Sequence, residues 1–250
     1  MGRMNTQGIV IALIDVPQEH TEEYNRWYDF DHLPEFAALP GMLLGRRYVA
    51  PPEYKALRLP SPLPELADGC GTYCTTYLIG DADFDAVQER WSQRGDDLRK
   101  QRRMFRYGKI ADVGYYRLDY TQVRDDIPAS AEAAPHLRDT GIMIVLTEVA
   151  DPAERAGVDQ WFRDMHAPDL LEVHGVSAAM RFSRVDRPPG RYANVYMLEG
   201  DPLETQRDLD RRIPEWQERG RSPAPGGASQ ILFQSVYRPV LPMQYDFQVE

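Results

Sequence analysis

Two short stretches hold the residues best suited to chemistry: WYDFDHLPE at 27–35 and WFRDMHAPD at 161–169. Each sets a Trp five residues ahead of a His and follows the His with x-Pro-acid. Imidazole is the side chain that exchanges a proton near neutral pH, so His32 and His166 are the candidates for general acid–base work. Pro34 and Pro168 cannot donate to a helical ladder. Each therefore frees a carbonyl one turn back and bends or breaks its helix beside the His. Such a break can aim the ring off the helix surface; equally, the ring can bond the freed carbonyl in a purely structural role. Around His32 the first stretch gathers Tyr28, Asp31 and Glu35, in which Tyr28/His32 and Asp31/Glu35 are i,i+4 pairs that share a helix face. A Tyr, a His and a carboxylate facing one cavity could shuttle a proton at a carbon next to a carbonyl. Arg47 or a tyrosine hydroxyl would then hold the developing enolate oxygen.

The elements that must position these residues come from an internal repeat. Residues 27–48 align without gaps to 161–182, keeping Trp27/Trp161, His32/His166, Pro34/Pro168, Gly41/Gly175 and Arg47/Arg181, five identities in 22 positions. Average residue usage would give roughly one or two. Upstream, IVIALIDV at 9–16 matches IMIVLTEV at 142–149. In the first copy the spacing predicts strands over 9–16, 42–49, 72–79 and 109–120 and helices over 21–39 and 83–100. In the second it predicts strands over 142–149, 176–185, 192–198 and 230–240 and helices over 157–173 and 202–218. Each copy is thus βαββαβ, a ferredoxin-like unit with two helices on one face of a four-stranded antiparallel sheet. The expected fold class is α+β: two such units fused in tandem (1–120 and 140–250, linker 121–139), their bare sheet faces packed together as a barrel around a central cavity. The proline-containing stretch 51–68 reads as a loop over one barrel mouth, and 220–228 as a loop of the second copy.

The pattern WYxxxHLPE…PG…GRRY resembles the EthD-like and related small proteins of the dimeric α+β barrel superfamily, over both halves and most clearly across 8–48. The resemblance implies the fold. It also implies His32 and His166 as the pattern histidines, with Trp27, Glu35, Arg47 and Tyr48 beside the first. The superfamily includes cofactor-free monooxygenases, cyclases, isomerases, decarboxylases or dehydratases, and haem proteins of the chlorite dismutase and dye-decolourising peroxidase types, so fold alone does not select a reaction. The candidate catalytic set is His32, His166, Tyr28, Asp31 and Glu35; the candidate substrate-binding set is Trp27, Arg47, Tyr48, Trp161, Arg181 and Tyr116. The copies differ: Asp31, Arg46 and Tyr48 are answered by Met165, Met180 and Phe182.

Composition narrows the partners. The chain has 250 residues with 29 Lys+Arg against 39 Asp+Glu, a net charge of −10, which disfavours nucleic acid and anionic membranes. The first apolar run is too short for a membrane span and lacks signal-peptide flanks, so a cytoplasmic address is expected. Cys70 and Cys74 read as reduced thiols. No phosphate-binding glycine motif, HExxH or nucleophile elbow occurs, and no pair of ligands has a specific metal spacing. The expectation is a cofactor-independent lyase, isomerase or cyclase acting by His-based proton transfer on a small aromatic carbonyl compound, in a protein that can form a homodimer. A haem oxidoreductase, a cofactor-free monooxygenase and a non-catalytic ligand-binding barrel are the alternatives.

Overall fold

The computed structural model describes residues 5–67, 69–221 and 227–249. In the first lobe it comprises β1 (Gly8–Asp15), α1 (Thr21–Trp27), a π-helical turn (Tyr28–His32), α2 (Leu33–Ala37), β2 (Met42–Val49), α3 (Pro52–Lys55), β3 (Tyr73–Ile79), α4 (Phe84–Lys100) and β4 (Lys109–Val123). The second lobe repeats the plan with β5 (Gly141–Glu148), α5 (Arg155–Trp161), a π-helical turn (Phe162–His166), α6 (Ala167–Leu171), β6 (Val176–Arg184), β7 (Arg191–Leu198), α7 (Pro202–Glu218) and β8 (Gln230–Pro239). Pro40-Gly41 ends the first helical arm, with Gly41 in the left-handed region at φ +89° and its counterpart Gly175 at +86°. Asp83 and Asp201 cap α4 and α7 by accepting backbone N–H bonds from Ala86 and from Leu203 and Glu204.

The eight strands close into one antiparallel barrel in the order β1-β3-β2-β8-β5-β7-β6-β4. Each lobe contributes a ferredoxin-like sheet, β4-β1-β3-β2 and β8-β5-β7-β6, and the lobes meet at the β2–β8 and β4–β6 seams. Strand alternation assigns the faces. Ile9, Ile11 and Leu13 of β1 join Ile142, Ile144 and Leu146 of β5 in one interior core, while Val10 packs under the helices of the first lobe. Burial of both bare faces against each other is what fuses the lobes into one molecule.

Among the described residues, the barrel interior encloses no cavity of ligand size where a central one was expected. Two voids inside the barrel measure about 20 and 10 Å³, at opposite ends of the strands, each little more than the room one water needs. Both ends are plugged. Residues expected to be a plain linker supply one plug: 121–123 continue β4, and the turn Ala131–His136 buries Ala134 and Pro135 over the strand ends. The 51–67 segment supplies the other through Leu63 and Leu66, and it contains α3 rather than loop alone. Of the stretch 220–228, residues 222–226 lie outside the described residues. Among the described residues no helix is long and apolar enough to cross a membrane.

Because the lobes share one interior, Leu13→Ala is expected to cost about 2–5 kcal/mol. The loss should appear in a single denaturation transition that tryptophan fluorescence and far-UV circular dichroism report alike. Two resolved transitions would show separate cores.

Candidate functional site

The proline after each pattern histidine does not break its helix; the helix widens instead. Leu33 N–H bonds to the carbonyl of Tyr28, and Ala167 N–H to that of Phe162, each five residues back. This wider turn absorbs the missing N–H and ring of the following proline and lets the helix run on. In the first lobe it swings His32 into the layer between helices and sheet. There the imidazole packs among Trp27, Tyr28 and Phe36, with ring centroids 4.6, 4.8 and 4.5 Å away. His32 Nδ1 is buried with no hydrogen-bond partner among the described residues. Burial lowers its pKa to about 4, only partly opposed by the nearby Asp31. The ring is therefore neutral at physiological pH.

Beside His32 lies a cavity of about 350 Å³ between sheet and helices. Ala12 and Ile14 form its floor, Tyr24, Trp27, Tyr28 and Phe36 one wall, and Trp91, Gly95, Phe105 and Tyr115 the other. Its volume is at the small end for ligand sites, and its lining is apolar with a few polar groups. The Tyr24 hydroxyl is sealed from solvent and lies under the influence of the Arg47 guanidinium, so its ring, not its oxygen, serves the cavity wall. Burial pushes the Tyr24 and Tyr28 hydroxyls above their ordinary range, so both stay protonated.

The second lobe serves as an internal control. His166 sits on an equivalent π-turn, its ring stacked 4.5 Å from Trp161 and its Nε2 3.3 Å from the Tyr196 hydroxyl. Burial lowers its pKa to about 4 as well. Among the described residues, the half-buried His166 lines no cavity comparable to the one beside His32. At the positions of Ala12 and Gly95 the repeat places the larger Val145 and Ile213, both half-buried against the core.

The expected acid partners of His32 are placed elsewhere. Asp31 and Glu35 do not line the cavity; both bind Arg103, with Arg103 Nη2 2.9 Å from Asp31 and 2.6 Å from Glu35, and Glu35 also pairs with Arg94. Hydrogen bonding from Arg103 holds the Glu35 carboxyl below its usual range. A carboxylate is better stabilised by guanidinium at the surface than against an apolar wall, so the expected Tyr–His–carboxylate set reduces to tyrosines and His32. Trp27 completes the clasp by donating from Nε1 to the Arg103 carbonyl at 2.6 Å. Trp161 repeats this toward the Arg221 carbonyl at 2.9 Å, and Arg221 grips Asp169. A clasp present in both lobes is a fold device that ties the loop after α4 or α7 to the first helical arm of its lobe. Sequence reading missed Arg103 and Arg221, although they are 118 residues apart, as are the caps Asp83 and Asp201.

Of the expected substrate-binding residues, only Trp27 lines the cavity. Arg47 lies behind Tyr28, its guanidinium 4.5 Å from that ring and bonded to Asn25 and Asp29, and so does not reach the cavity as an enolate-holding group. Arg181 is likewise held by Asp159 and Asn194 over the Tyr192 ring. Tyr48 and Tyr116 turn into the barrel, where their hydroxyls meet Asp139 and Arg184. Ala12, Trp91 and Gly95, which the sequence reading did not single out, help define the cavity; the signal for Ala12 and Gly95 is their exchange for the larger Val145 and Ile213 in the second copy.

No family model matches the chain, and no curated protein matches it. Among solved structures, a dye-decolorizing peroxidase from Bacteroides thetaiotaomicron VPI-5482 aligns with a TM-score of 0.61 at 8% identity, covering 97% of this chain and 94% of that one. An anthrone oxidase-like protein aligns at 0.56 and 10% identity, over 95% and 93% of the two chains. A DypB variant from Rhodococcus jostii RHA1 in complex with heme aligns at 0.50 and 12%, over 94% and 93%. At these identities the likeness is one of fold. The chain has the dimeric α+β barrel architecture, here made by one polypeptide; the narrower EthD-like resemblance rests on the sequence pattern alone.

Among the described residues, neither pattern histidine offers a fitting axial site for haem. An axial imidazole needs open room for a macrocycle in front of a ring nitrogen. The His166 Nε2 is taken by Tyr196. The His32 ring is crowded by three aromatic side chains, its Nδ1 is sealed in, and the cavity beside it has one basic lining residue, Arg99, to answer two propionates. Among the described residues no group of three or more His, Cys, Asp or Glu could hold a metal ion.

Both pattern imidazoles bind a proton near 6.5 in the unfolded chain and near 4 in the folded one. The unfolded state therefore takes up more protons in that window, and stability is expected to decline as pH falls from about 6.5 to about 4. Urea midpoints across this range check it, and the decline should be smaller in His166→Phe.

Proposed function

We propose that the first-lobe cavity is the active site of a cofactor-independent oxidoreductase, in which His32 takes a proton from a small anthrone-like or phenolic aromatic compound and the resulting anion reacts with dioxygen. The observation that carries this reading is the cavity itself: aromatic walls beside a neutral buried imidazole. The aromatic walls suit a flat two- or three-ring compound. The fold likeness to an anthrone oxidase-like protein agrees with this choice over a lyase or isomerase.

The chemistry closes without another reactant. His32 accepts a proton from a ring CH₂ flanked by arenes, and the electron pair delocalises onto the substrate's carbonyl oxygen. The carbanion carbon bonds to dioxygen, the peroxide takes the proton back from the imidazolium, and loss of water from the CH–OOH centre leaves a second carbonyl. The sum is R₂CH₂ + O₂ → R₂C=O + H₂O. An isomerase would share the first step and return the proton to another carbon, so dependence on oxygen separates the two.

With an anthrone-type substrate, one dioxygen is expected to be consumed per turnover. His32→Phe should lower kcat by about 10²-fold or more while leaving Tm nearly unchanged. Gly95→Ile, which rebuilds the second lobe's filling, should abolish binding without loss of stability, since Ile is a better helix residue than Gly. The kcat/KM profile should be level above pH 5 and fall as His32 protonates near pH 4. Proton exchange with solvent in the absence of oxygen uptake would favour the isomerase.

A further inference from the structure

The cavity beside His32 is roofed by the segment that joins α4 to β4. Met104 and Phe105 of this segment line the cavity, and the exposed Gly108 and Ile110 bring its rim to the surface. The Phe105 ring lies edge-on to Tyr24 at 5.3 Å and tilted against Trp27 at 5.5 Å between centroids, so it covers two wall residues at once. Outside it stands a further pair of rings. His20 and Tyr107 stack 3.7 Å apart and 6° from parallel, and Phe105 meets both edge-on at 6.5 and 5.8 Å. Tyr107 is 52% exposed, so solvent reaches the stack.

The segment leaves α4 through a strained residue. Arg103 N–H bonds to the Leu98 carbonyl at 2.9 Å and Arg102 N–H to that of Arg99 at 3.0 Å, a helix stop that sets residue 102 in the left-handed region. Arg102 sits there at φ +59°, where its Cβ crowds the backbone. α7 stops in the same way, with Arg221 N–H on the Trp216 carbonyl at 2.8 Å, but its left-handed residue is Gly220 at φ +66°. The clasp of Arg103 by Asp31, Glu35 and Trp27 thus holds a loaded hinge, whereas the clasp of Arg221 holds a relaxed one. His20, Phe105 and Tyr107 are also peculiar to the first copy, since Glu154, Pro223 and Pro225 stand at the corresponding positions of the second.

We propose that residues 102–108 are a lid over the His32 cavity, with Arg102 as its hinge and the His20–Tyr107 stack as its latch, and that flat aromatic compounds pass when it opens. Burial of Phe105 against Tyr24 and Trp27 favours the closed form, and relaxation of Arg102 out of the left-handed region favours the open one. Two opposed contributions keep both forms within reach. A closed lid also keeps water from a proton transfer at His32. The purpose of such a lid, though not its motion, rests on the reading of this cavity as an active site.

Stopped-flow mixing with 2-naphthol, followed through quenching of Trp27 and Trp91, tests the lid. Tyr107→Ala is expected to raise the association and dissociation rates together by about two- to tenfold, the range of one aromatic stack, with Kd nearly unchanged. Arg102→Gly should slow both by about fivefold, because relief of strain favours the closed form. Acrylamide, which needs no binding site, should quench Trp27 and Trp91 more in Tyr107→Ala than in the wild type and less in Arg102→Gly. Rates that do not move, a Tyr107→Ala effect confined to dissociation, or acrylamide quenching in another order overturns the lid. If 2-naphthol does not bind while acrylamide keeps the expected order, the lid is upheld and the active-site reading is what fails.

Discussion

A closed barrel has one inside, and two ferredoxin-like sheets that bury their bare faces against each other use it up. Ile9, Ile11 and Leu13 meet Ile142, Ile144 and Leu146 there, while Ala134, Pro135, Leu63 and Leu66 seal the ends. Room for a ligand must then come from a different layer. In the first lobe it lies between sheet and helices, where a side chain from α1, the π-turn or α4 reaches it directly. The apolar contact that makes one molecule of two lobes thus also decides where chemistry can occur.

Duplication separates fold from function with unusual economy, because each lobe is a control for the other. The Trp–His–Pro–acid pattern, the π-turn, the buried neutral imidazole and the Trp–Arg–carboxylate clasp occur in both lobes. They answer to packing and backbone hydrogen bonding rather than to a ligand. What differs between the lobes is bulk: Ala12 for Val145, Gly95 for Ile213. The most repeated motif is therefore not the most informative about function. His32 matters through what its neighbours leave open, whereas the second-lobe His166 is half-buried and bonded to Tyr196.

Architecture was legible because it rests on period and repetition. Alternating apolar residues at 9–16 and 142–149, Gly41 and Gly175 after the first helices, and the gapless 27–48 alignment all act locally. Site geometry was not legible in the same way. Asp31 and Glu35 share a face with chemistry on paper, but Arg103, some 70 residues on, decides which way they turn. Tyr48 and Tyr116 alternate into the barrel rather than toward the helices, a consequence of register set by closure. The π-turn was half visible: Pro34 announced a disturbed ladder, and only the tertiary packing of Trp27 and Phe36 around His32 selects widening over breakage.

An imidazole with a pKa near 4 is a weak base, and this weakness constrains what the first-lobe cavity can act on. Proton transfer creates two charges where there were none, in surroundings of Trp27, Tyr28 and Phe36 that solvate neither. It becomes favourable only if the charges stay close, attracting each other through a low dielectric, and if the anion spreads its charge. A compound whose conjugate base is delocalised over fused rings does so, and ordinary aliphatic carbonyl compounds do not. On the proposed function, the same burial that lowers the basicity of His32 makes the cavity a filter for extended aromatic acids.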